Sequence, residues 1–539
     1  MRHISAALMA VPTACLLAWG GRRRAIALAA GLVSALAMPP FGIWPVLALT
    51  FPVVIWLLDG AVEHGEAARR SRWMSGFSVG WWFGFGYFLT GLWWIGSAFL
   101  VDGDRFAWMM PMAVVAMPIG LALFPAVALA FCARFWPEGP ERVLVLTITL
   151  SLSEFVRGHV FTGFPWNLFG YAFGESLILT QSASVFGIYG LGLLTILICA
   201  TPAILIDSVS RSRKMMMAGA ALLLLGVMSA FGLLRLNVGE EPPLAMQDVR
   251  IVQPAIPQAE KWVPEQREPI FQSYLDLSSQ PLPASARQGV PRMLVWPESA
   301  LPFLLSASPD ALIRISEMLG GTMSLATGAI RAEVGETGPK YFNSVYLLNP
   351  DGSIHDAYDK VHLVPFGEYL PLEKTLEDLG LRKLVNAPGA FEAGFRHRPL
   401  GLPGGISFLP LICYEAIFPS IAGVSKVRPD FLLNVTNDAW FGLTPGPYQH
   451  LQQSKMRAVE QGLPLVRAAN TGVSAIIDAK GREVTRLELG RTGVLDASLP
   501  GKLDPTFYAE YGDTPYGLLL VVLFSLLSPK LHNPHSRKN

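Results

Sequence analysis

The chain has 539 residues, of which 51% are hydrophobic and only 15% are charged, well below the roughly 25% charge of ordinary soluble domains. The net charge of +1 provides no bulk attraction to nucleic acid, so we expect no nucleic-acid partner. These averages combine two different parts. Residues 1–240 are almost continuously apolar, whereas residues 245–505 have the composition of a globular domain. The chain is therefore predicted to be a membrane protein that carries one soluble domain.

The apolar part divides into segments that suit the ~30 Å hydrocarbon core of a bilayer. We predict seven transmembrane helices there: Ala25–Pro39, Trp44–Leu58, Met74–Leu100, Trp108–Phe131, Val143–Val156, Val185–Ile206 and Met215–Leu234. An eighth is expected within residues 512–529, before a basic tail at residues 530–539. Residues 1–20 are ambiguous, since they could form an extra span, a surface helix or the start of a signal-like segment. A cleaved signal is disfavoured because Arg22–Arg24 stand where small residues would be expected.

The basic residues of the short loops predict the orientation. Counted from Ala25, every Lys/Arg cluster falls on one side of the membrane, which identifies that side as cytoplasmic. Seven spans then place residues 245–505 on the far side. In a bacterium this is the periplasmic face of the inner membrane, and the eighth span returns the tail to the cytoplasm.

Three features of the apolar part need an interpretation. Small residues recur at four-residue spacing, which favours close helix packing over a ligand groove: Gly76, Gly80 and Gly84. Glu154 and Arg157 lie one helical turn apart and are predicted to form an internal ion pair. The aromatic loop Thr162–Tyr171 either anchors the membrane interface or lines the entry of a lipid-borne substrate.

In the soluble part, strand-like and helix-like segments alternate, which predicts a layered α/β domain. Strands are expected at Val249–Val252, Met293–Trp296, Met323–Thr327, Ser344–Leu348, Ile406–Cys413, Phe431–Val435 and Val473–Ile477. Helices such as Pro309–Leu319 and Tyr448–Gln461 separate them.

Polar residues that packing does not require follow three of these segments. Glu298 follows an apolar strand, Lys360 follows a turn and a short strand, and Cys413 ends another apolar run. Cys413 is the only cysteine of the soluble part, so it cannot form an intrachain disulfide there. Taken singly, an inert buried cysteine or a surface salt bridge would explain each residue. Together they make an acyl-transfer set in which Glu298 accepts the thiol proton, Cys413 attacks a carbonyl, and Lys360 stabilises the oxyanion.

The Glu–Lys–Cys order in these contexts resembles the nitrilase, or carbon–nitrogen hydrolase, superfamily, whose fold is an α-β-β-α sandwich. Together with the seven-span front, the chain is similar to the bacterial apolipoprotein N-acyltransferases over nearly its whole length, the first twenty residues excepted. The segments that carry this likeness are Thr162–Trp166, Trp296–Glu298, Lys360–Tyr369, Cys413–Glu415 and Thr436–Gly442. Ordinary nitrilases lack the membrane part and the Phe-Gly-Glu-Tyr version of the lysine segment.

The resemblance implies a two-step acyl exchange. Cys413 would take an acyl chain from a phospholipid, with phosphatidylethanolamine as the expected donor, and form a thioester. The α-amine of the diacylglyceryl cysteine of an apolipoprotein would then attack that thioester. The same likeness implies that three further residues support the site: Glu368, Tyr414 and Glu415. It implies that four aromatic residues bind substrate: Trp166, Trp262, Phe366 and Tyr369.

No metal or organic cofactor is expected, because a thioester conserves the energy of the donor ester and no Gly-rich phosphate loop precedes a helix. Two other readings stay open. A membrane-tethered amidase would share the three residues and give the acyl group to water. A transporter with a sensing domain would need charged residues in the interior of the predicted spans, and only Glu154 and Arg157 come near to meeting that need.

Overall fold

The structure is a computed structural model that describes residues 2–62, 69–238, 248–284, 287, 289–335, 338–370, 391–423 and 427–531. The chain forms two compact units. The helical unit comprises Met1–Trp94, Pro111–Val238 and Glu510–Asn539, and the α/β unit comprises Ile95–Met110 and Gly239–Ala509. The predicted basic tail lies outside the described residues from residue 532 onward.

Apolar helices build the helical unit. They are α1 (Arg2–Leu16), α2 (Gly20–Ser34), α3 (Leu47–Asp59), α4 (Arg69–Leu92), α6 (Met110–Leu121), α7 (Leu123–Arg134), α8 (Arg142–His159), α9 (Leu177–Thr180), α10 (Ala183–Ala200), α11 (Arg211–Asn237) and α16 (Thr514–Leu531). The short α5 (Gly103–Phe106) belongs to the α/β unit, and α15 (Phe507–Tyr511) lies at the end of that unit's chain.

Among the described residues, five stretches are long and apolar enough to cross a membrane: Ser71–Leu100, Gly103–Arg134, Arg142–Thr162, Ala183–Ile206 and Arg211–Asn237. They coincide with five of the predicted spans. Two others, Trp44–Asp59 and Thr514–Leu527, are shorter apolar helices.

The predicted first span differs from the structure in its bounds. Helix α2 starts at Gly20, takes in the three arginines and ends at Ser34. Arginine is a good helix former, so the charged cluster extends the helix instead of preceding it. The Pro39–Pro40 pair stops any continuation, because proline disfavours a helical residue before it. The ambiguous N-terminal stretch forms a helix of its own, α1.

The small-residue stripe of α4 packs against α7, as predicted. A Cβ added at Gly76 would lie 2.3 Å from the Leu129 carbonyl oxygen, and one at Gly80 would lie 2.3 Å from that of Pro125. Any side chain would therefore force the two helices apart. The predicted ion pair is also confirmed, with 3.7 Å between Arg157 Nη2 and Glu154 Oε1.

The α/β unit contains two six-stranded sheets. In the first sheet the strands follow the order β12 (Gly493–Ser498), β1 (Asp248–Gln253), β2 (Arg292–Trp296), β3 (Met323–Gly335), β4 (Gly338–Leu348) and β5 (Ile354–Asp359). In the second sheet the strands follow the order β11 (Glu483–Leu487), β10 (Ser474–Ile477), β9 (Leu465–Ala469), β8 (Phe431–Thr436), β7 (Ser407–Ile412) and β6 (Leu400–Gly401). Strands β1, β2 and β3 pair in parallel, and so do β7, β8 and β9.

The sheets pack face to face around one apolar core, to which Ile251 and Val295 of the first sheet and Leu433 and Val466 of the second contribute. The outer face of the first sheet packs against helices α12 (Arg267–Ser278) and α13 (Pro309–Leu319). Helix α14 (Pro445–Gln461) covers the second sheet, where Ser454 bonds Asn434 of β8. The predicted α-β-β-α sandwich is thus the observed architecture of this unit.

Candidate active site

Glu298 lies in a tight turn directly after β2. Ser299, the next residue, has φ 47°, in the left-handed region that non-glycine residues seldom adopt. The turn packs onto Gly328 of β3, where an added Cβ would come within 2.5 Å of Glu298 Cα. Glycine at 328 therefore allows the close approach that places this carboxylate.

Two hydrogen bonds fix the carboxylate of Glu298. Asn343 Nδ2 donates to Oε1 at 2.7 Å, and the Asn437 main-chain N–H donates to Oε2 at 2.9 Å. A buried ammonium, Lys261 Nζ, donates to the Glu298 carbonyl oxygen at 3.2 Å. Burial lowers the pKa of Lys261 to about 8, although the charge of Glu298 opposes this.

Lys360 follows β5 and lies between two carboxylates. Its Nζ is 2.9 Å from both oxygens of Glu368 and 3.6 Å from Glu298 Oε1. Burial alone would lower the pKa of Lys360, but Glu368 and then Glu298 outweigh it, so the pKa lies above its usual value. The amide of Asn343 also donates to Glu368 Oε1 at 2.9 Å, which ties the two carboxylates together. Lys360 is therefore held as an ammonium in a fixed position.

Cys413 follows β7 with φ 48°, so the nucleophile candidate occupies a left-handed backbone conformation. Cys413 is partly buried, and its thiol lies within hydrogen-bonding reach of the Thr436 hydroxyl. Desolvation and then the charge of Glu298 raise the pKa of Cys413, while Lys360 opposes them. The resting group is a thiol at neutral pH, so attack requires a base that removes its proton.

Glu415 joins the lysine segment to the cysteine turn. Its Oε1 accepts hydrogen bonds from the Tyr358 hydroxyl and from the main chain of Val361 and His362, and its Oε2 accepts one from Ile412 N–H. Burial raises the pKa of Glu415 to about 7 against these donors. With all four bonds directed at other protein groups, Glu415 serves to hold the site together.

These groups can carry out covalent acyl chemistry. A thiol, a carboxylate that can accept its proton, and a fixed ammonium that can stabilise negative charge on a carbonyl oxygen are the elements of nucleophilic catalysis.

Two family models match the chain. The apolipoprotein N-acyltransferase N-terminal domain matches residues 30–201, and the carbon–nitrogen hydrolase domain matches residues 248–506. The chain is similar to proteins named apolipoprotein N-acyltransferase from Rhodopseudomonas palustris, with 46% identity over 98% of this chain and 99% of the relative, and from Bradyrhizobium diazoefficiens, with 45% identity over 96% of each. The chain belongs to the apolipoprotein N-acyltransferase family.

Among solved structures, a nitrilase-superfamily amidase mutant from Nesterenkonia AN1 matches with a TM-score of 0.36 and 19% identity, covering 52% of this chain and 99% of the amidase. Membership of the apolipoprotein N-acyltransferase family makes the chain an enzyme of an acyltransferase family and implies the N-acylation of lipoproteins. The family together with the apolar helices indicates a membrane protein.

The remaining residues that the sequence suggested have different environments. Phe366 is 53% exposed, has φ 63°, and its N–H bonds the Tyr369 carbonyl oxygen at 2.8 Å. Tyr414 is buried against His362 and Phe418.

Two tryptophans were also predicted to bind substrate. Trp262 is partly exposed and follows Lys261, the buried lysine that bonds Glu298. Trp166 lies in the helical unit, where it is 2% exposed and packs on Trp94 and Phe164. Its carbonyl oxygen accepts a hydrogen bond from Arg157. Substrate binding by these residues stays a prediction.

Sequence reasoning missed three residues of this site: Asn343, Lys261 and His450. Asn343 lies one residue before the predicted strand Ser344–Leu348 and inside the observed β4, where a polar residue gives no local signal of the carboxylates it contacts. His450 was included in a predicted helix, and its contact with the Cys413 carbonyl oxygen at 3.0 Å depends on how that helix packs. Lys261 has no signal in the sequence beyond its place next to Trp262.

Proposed function

We propose that the protein transfers an acyl chain from a phospholipid, phosphatidylethanolamine above all, to the α-amine of the diacylglyceryl cysteine of apolipoproteins, through a thioester on Cys413. The observation that carries this proposal is the Lys360 ammonium, which is fixed between Glu298 and Glu368 and interacts electrostatically with the strained Cys413. Family membership supplies the substrate class.

In the first half-reaction, the Cys413 sulfur attacks the ester carbonyl and Glu298 accepts the thiol proton. Lys360 donates to the developing oxyanion, which it can do without rearrangement because its ammonium is already held in place. The C–O bond then breaks, and the proton on Glu298 passes to the departing oxygen of the lysophospholipid.

In the second half-reaction, the free amine of the apolipoprotein attacks the thioester. A C–N bond forms, the C–S bond breaks, Glu298 accepts a proton from the amine, and the thiol is restored by that proton. Thioesters react better with a positioned amine than with water where bulk water is limited. Trp166, Trp262, Phe366 and Tyr369 are the residues we propose to enclose the substrates.

Placement in the cell follows from the same proposal. Both substrates are anchored in lipid, so the active site has to work at a membrane surface. We propose that residues 1–240 and 512–529 span the bacterial inner membrane, with about seven helices before the α/β unit and one after it. The catalytic domain, residues 245–505, then lies in the periplasm.

The test uses purified full-length protein with phosphatidylethanolamine and a diacylated lipopeptide that has a free N-terminus. We expect N-acylated peptide and lysophospholipid in equal amounts, together with a long-chain acyl adduct on Cys413 detected by mass spectrometry. With an N-acetylated peptide, the reaction should stop at the adduct and release little free fatty acid. Rapid fatty-acid release regardless of the amine, without acylated peptide, would make the protein a hydrolase.

A further inference from the structure

A second buried network lies behind Cys413, and the proposed chemistry does not use it. His450 of α14 has Nε2 3.0 Å from the Cys413 carbonyl oxygen and Nδ1 2.9 Å from Asp438 Oδ1. The side chains of His450 and Asp438 are almost completely buried. The Cys413 carbonyl and an ionised Asp438 can both only accept, so the two contacts together require a hydrogen on each ring nitrogen. Burial and then Arg467 lower the pKa of His450 and oppose this charged form, while Asp438 favours it.

Asp438 fixes the orientation of the imidazole. The Thr436 hydroxyl donates to Asp438 Oδ1 at 2.8 Å, and Arg467 donates to Oδ2 at 2.6 Å. Burial alone would raise the pKa of Asp438, but Arg467 and then His450 outweigh it and hold the pKa at about 2. Asp438 is therefore ionised at physiological pH. Gly472 lies so close that an added Cβ would be 2.3 Å from Asp438 Oδ2, so any side chain at position 472 would displace the carboxylate.

The main chain of Cys413 needs such support. Its φ of 48° is a conformation that is unfavourable for a non-glycine residue and persists only where surrounding contacts determine it. The His450 contact acts on the carbonyl of this residue. Thr436 acts on its thiol and also bonds Asp438, so both parts of Cys413 are tied to the same carboxylate.

We propose that His450, oriented by Asp438, is a positioning residue that holds the Cys413–Tyr414 peptide in the conformation required for nucleophilic attack. Because the peptide is planar and trans, directing its carbonyl at His450 points the Tyr414 N–H the opposite way. His450 thereby fixes both the direction of the Cys413 side chain and that of the next amide. This inference rests on the function proposed above, since it concerns the formation of the Cys413 thioester.

Two substitutions separate this role from a structural one. In His450→Gln the amide nitrogen can take the place of Nε2 and donate to the Cys413 carbonyl. In His450→Asn the shorter side chain reaches only the place of Nδ1, beside Asp438. Both keep a polar group in the network. Lys455→Met is the matched control, because Lys455 lies on the same helix but pairs with Glu483 at the partly exposed rim.

The measurement is the first-order rate at which the full-length protein forms the acyl adduct on Cys413, with phosphatidylethanolamine in detergent micelles. We expect His450→Gln and Lys455→Met to stay within about threefold of wild type. For His450→Asn we expect the rate to fall by about 10- to 100-fold, with the half-saturating lipid concentration unchanged, because a buried carbonyl loses its donor. Equal rates for the Gln and Asn variants, or a change only in half-saturation, would overturn the role of His450.

Alkylation of Cys413 by iodoacetamide gives a readout that needs no lipid, and the same order of rates is expected. If the wild-type protein formed no adduct with phospholipid, the proposed function would fail, whereas the order of alkylation rates would still decide the role of His450. Equal alkylation of the two variants would refute it.

Discussion

Asn343→Leu should disrupt the site although the residue takes no part in the chemistry. Its amide donates to Glu298 at 2.7 Å and to Glu368 at 2.9 Å, and the side chain is 3% exposed. A hydrogen bond to a charged group contributes roughly 1.5–3 kcal/mol, so losing two such bonds costs about 3–6 kcal/mol as an upper range. Leucine has a similar size, so the loss is polar and leaves little cavity.

Part of this cost should be seen as lower stability and part as slower chemistry. If about 3 kcal/mol of this cost falls on stability, the melting temperature of a domain of this size should be lower by about 6 °C, at roughly 2 °C per kcal/mol. Adduct formation on Cys413 should slow by about 100-fold, since Glu298 and Glu368 lose their common donor beside Lys360. Asn349→Leu is the control, because the side chain of Asn349 bonds the exposed Ser353, away from the carboxylates of the site. Wild-type melting and a wild-type rate of adduct formation in Asn343→Leu would refute the reasoning.

Four further outcomes are expected. Cys413→Ala should abolish transfer without unfolding the protein, and Cys413→Ser should be nearly inactive because a hydroxyl has a far higher pKa than a thiol; activity assays beside circular dichroism test both. Lys360→Met should slow adduct formation by about 10²–10³-fold and Glu298→Gln should prevent it, as mass spectrometry would show. Burial raises the pKa of Glu415 from 4.5 to about 7, so in this pH range the native state keeps a proton that the unfolded state releases. The stability should therefore fall as the pH rises from 4.5 to 7. In Glu415→Gln the melting temperature should depend less steeply on pH, which melting curves at several pH values would show. A membrane-impermeant thiol reagent should label a cysteine introduced at Asp351 from outside the cytoplasm but not one in the C-terminal tail; labelling of both on one side would remove a span from the topology.

The sequence predicted those parts of the fold that have a strong local signal. The central strands are short apolar runs bounded by turn residues, so β2, β7 and β8 were found with nearly correct bounds. Strands β11 and β12 were not predicted, because their partly exposed residues do not form an apolar run. Strand β9 was not predicted either. It is apolar except for Arg467, a charged residue that interrupts the apolar run in the sequence and pairs with Asp438 once the protein is folded.

The site was predictable to the extent that its chemistry is carried by side chains at strand ends. Glu298, Lys360 and Cys413 stand out because packing gives no reason for them. Asn343 and His450 do not stand out, since each acts on a group that is distant in sequence, 45 and 37 residues away. Long-range contacts of this kind follow from sheet order and helix packing and have no local signature.

Peptide amides supply many of the hydrogen bonds that hold the three buried carboxylates. The donors are Asn437 N–H for Glu298, Val364 N–H for Glu368, and Val361, His362 and Ile412 N–H for Glu415. Every residue type except proline has this donor. The main-chain contacts of the carboxylates therefore do not depend on which side chain these five positions carry. An alanine scan would undervalue these positions, whereas a proline scan would reveal them.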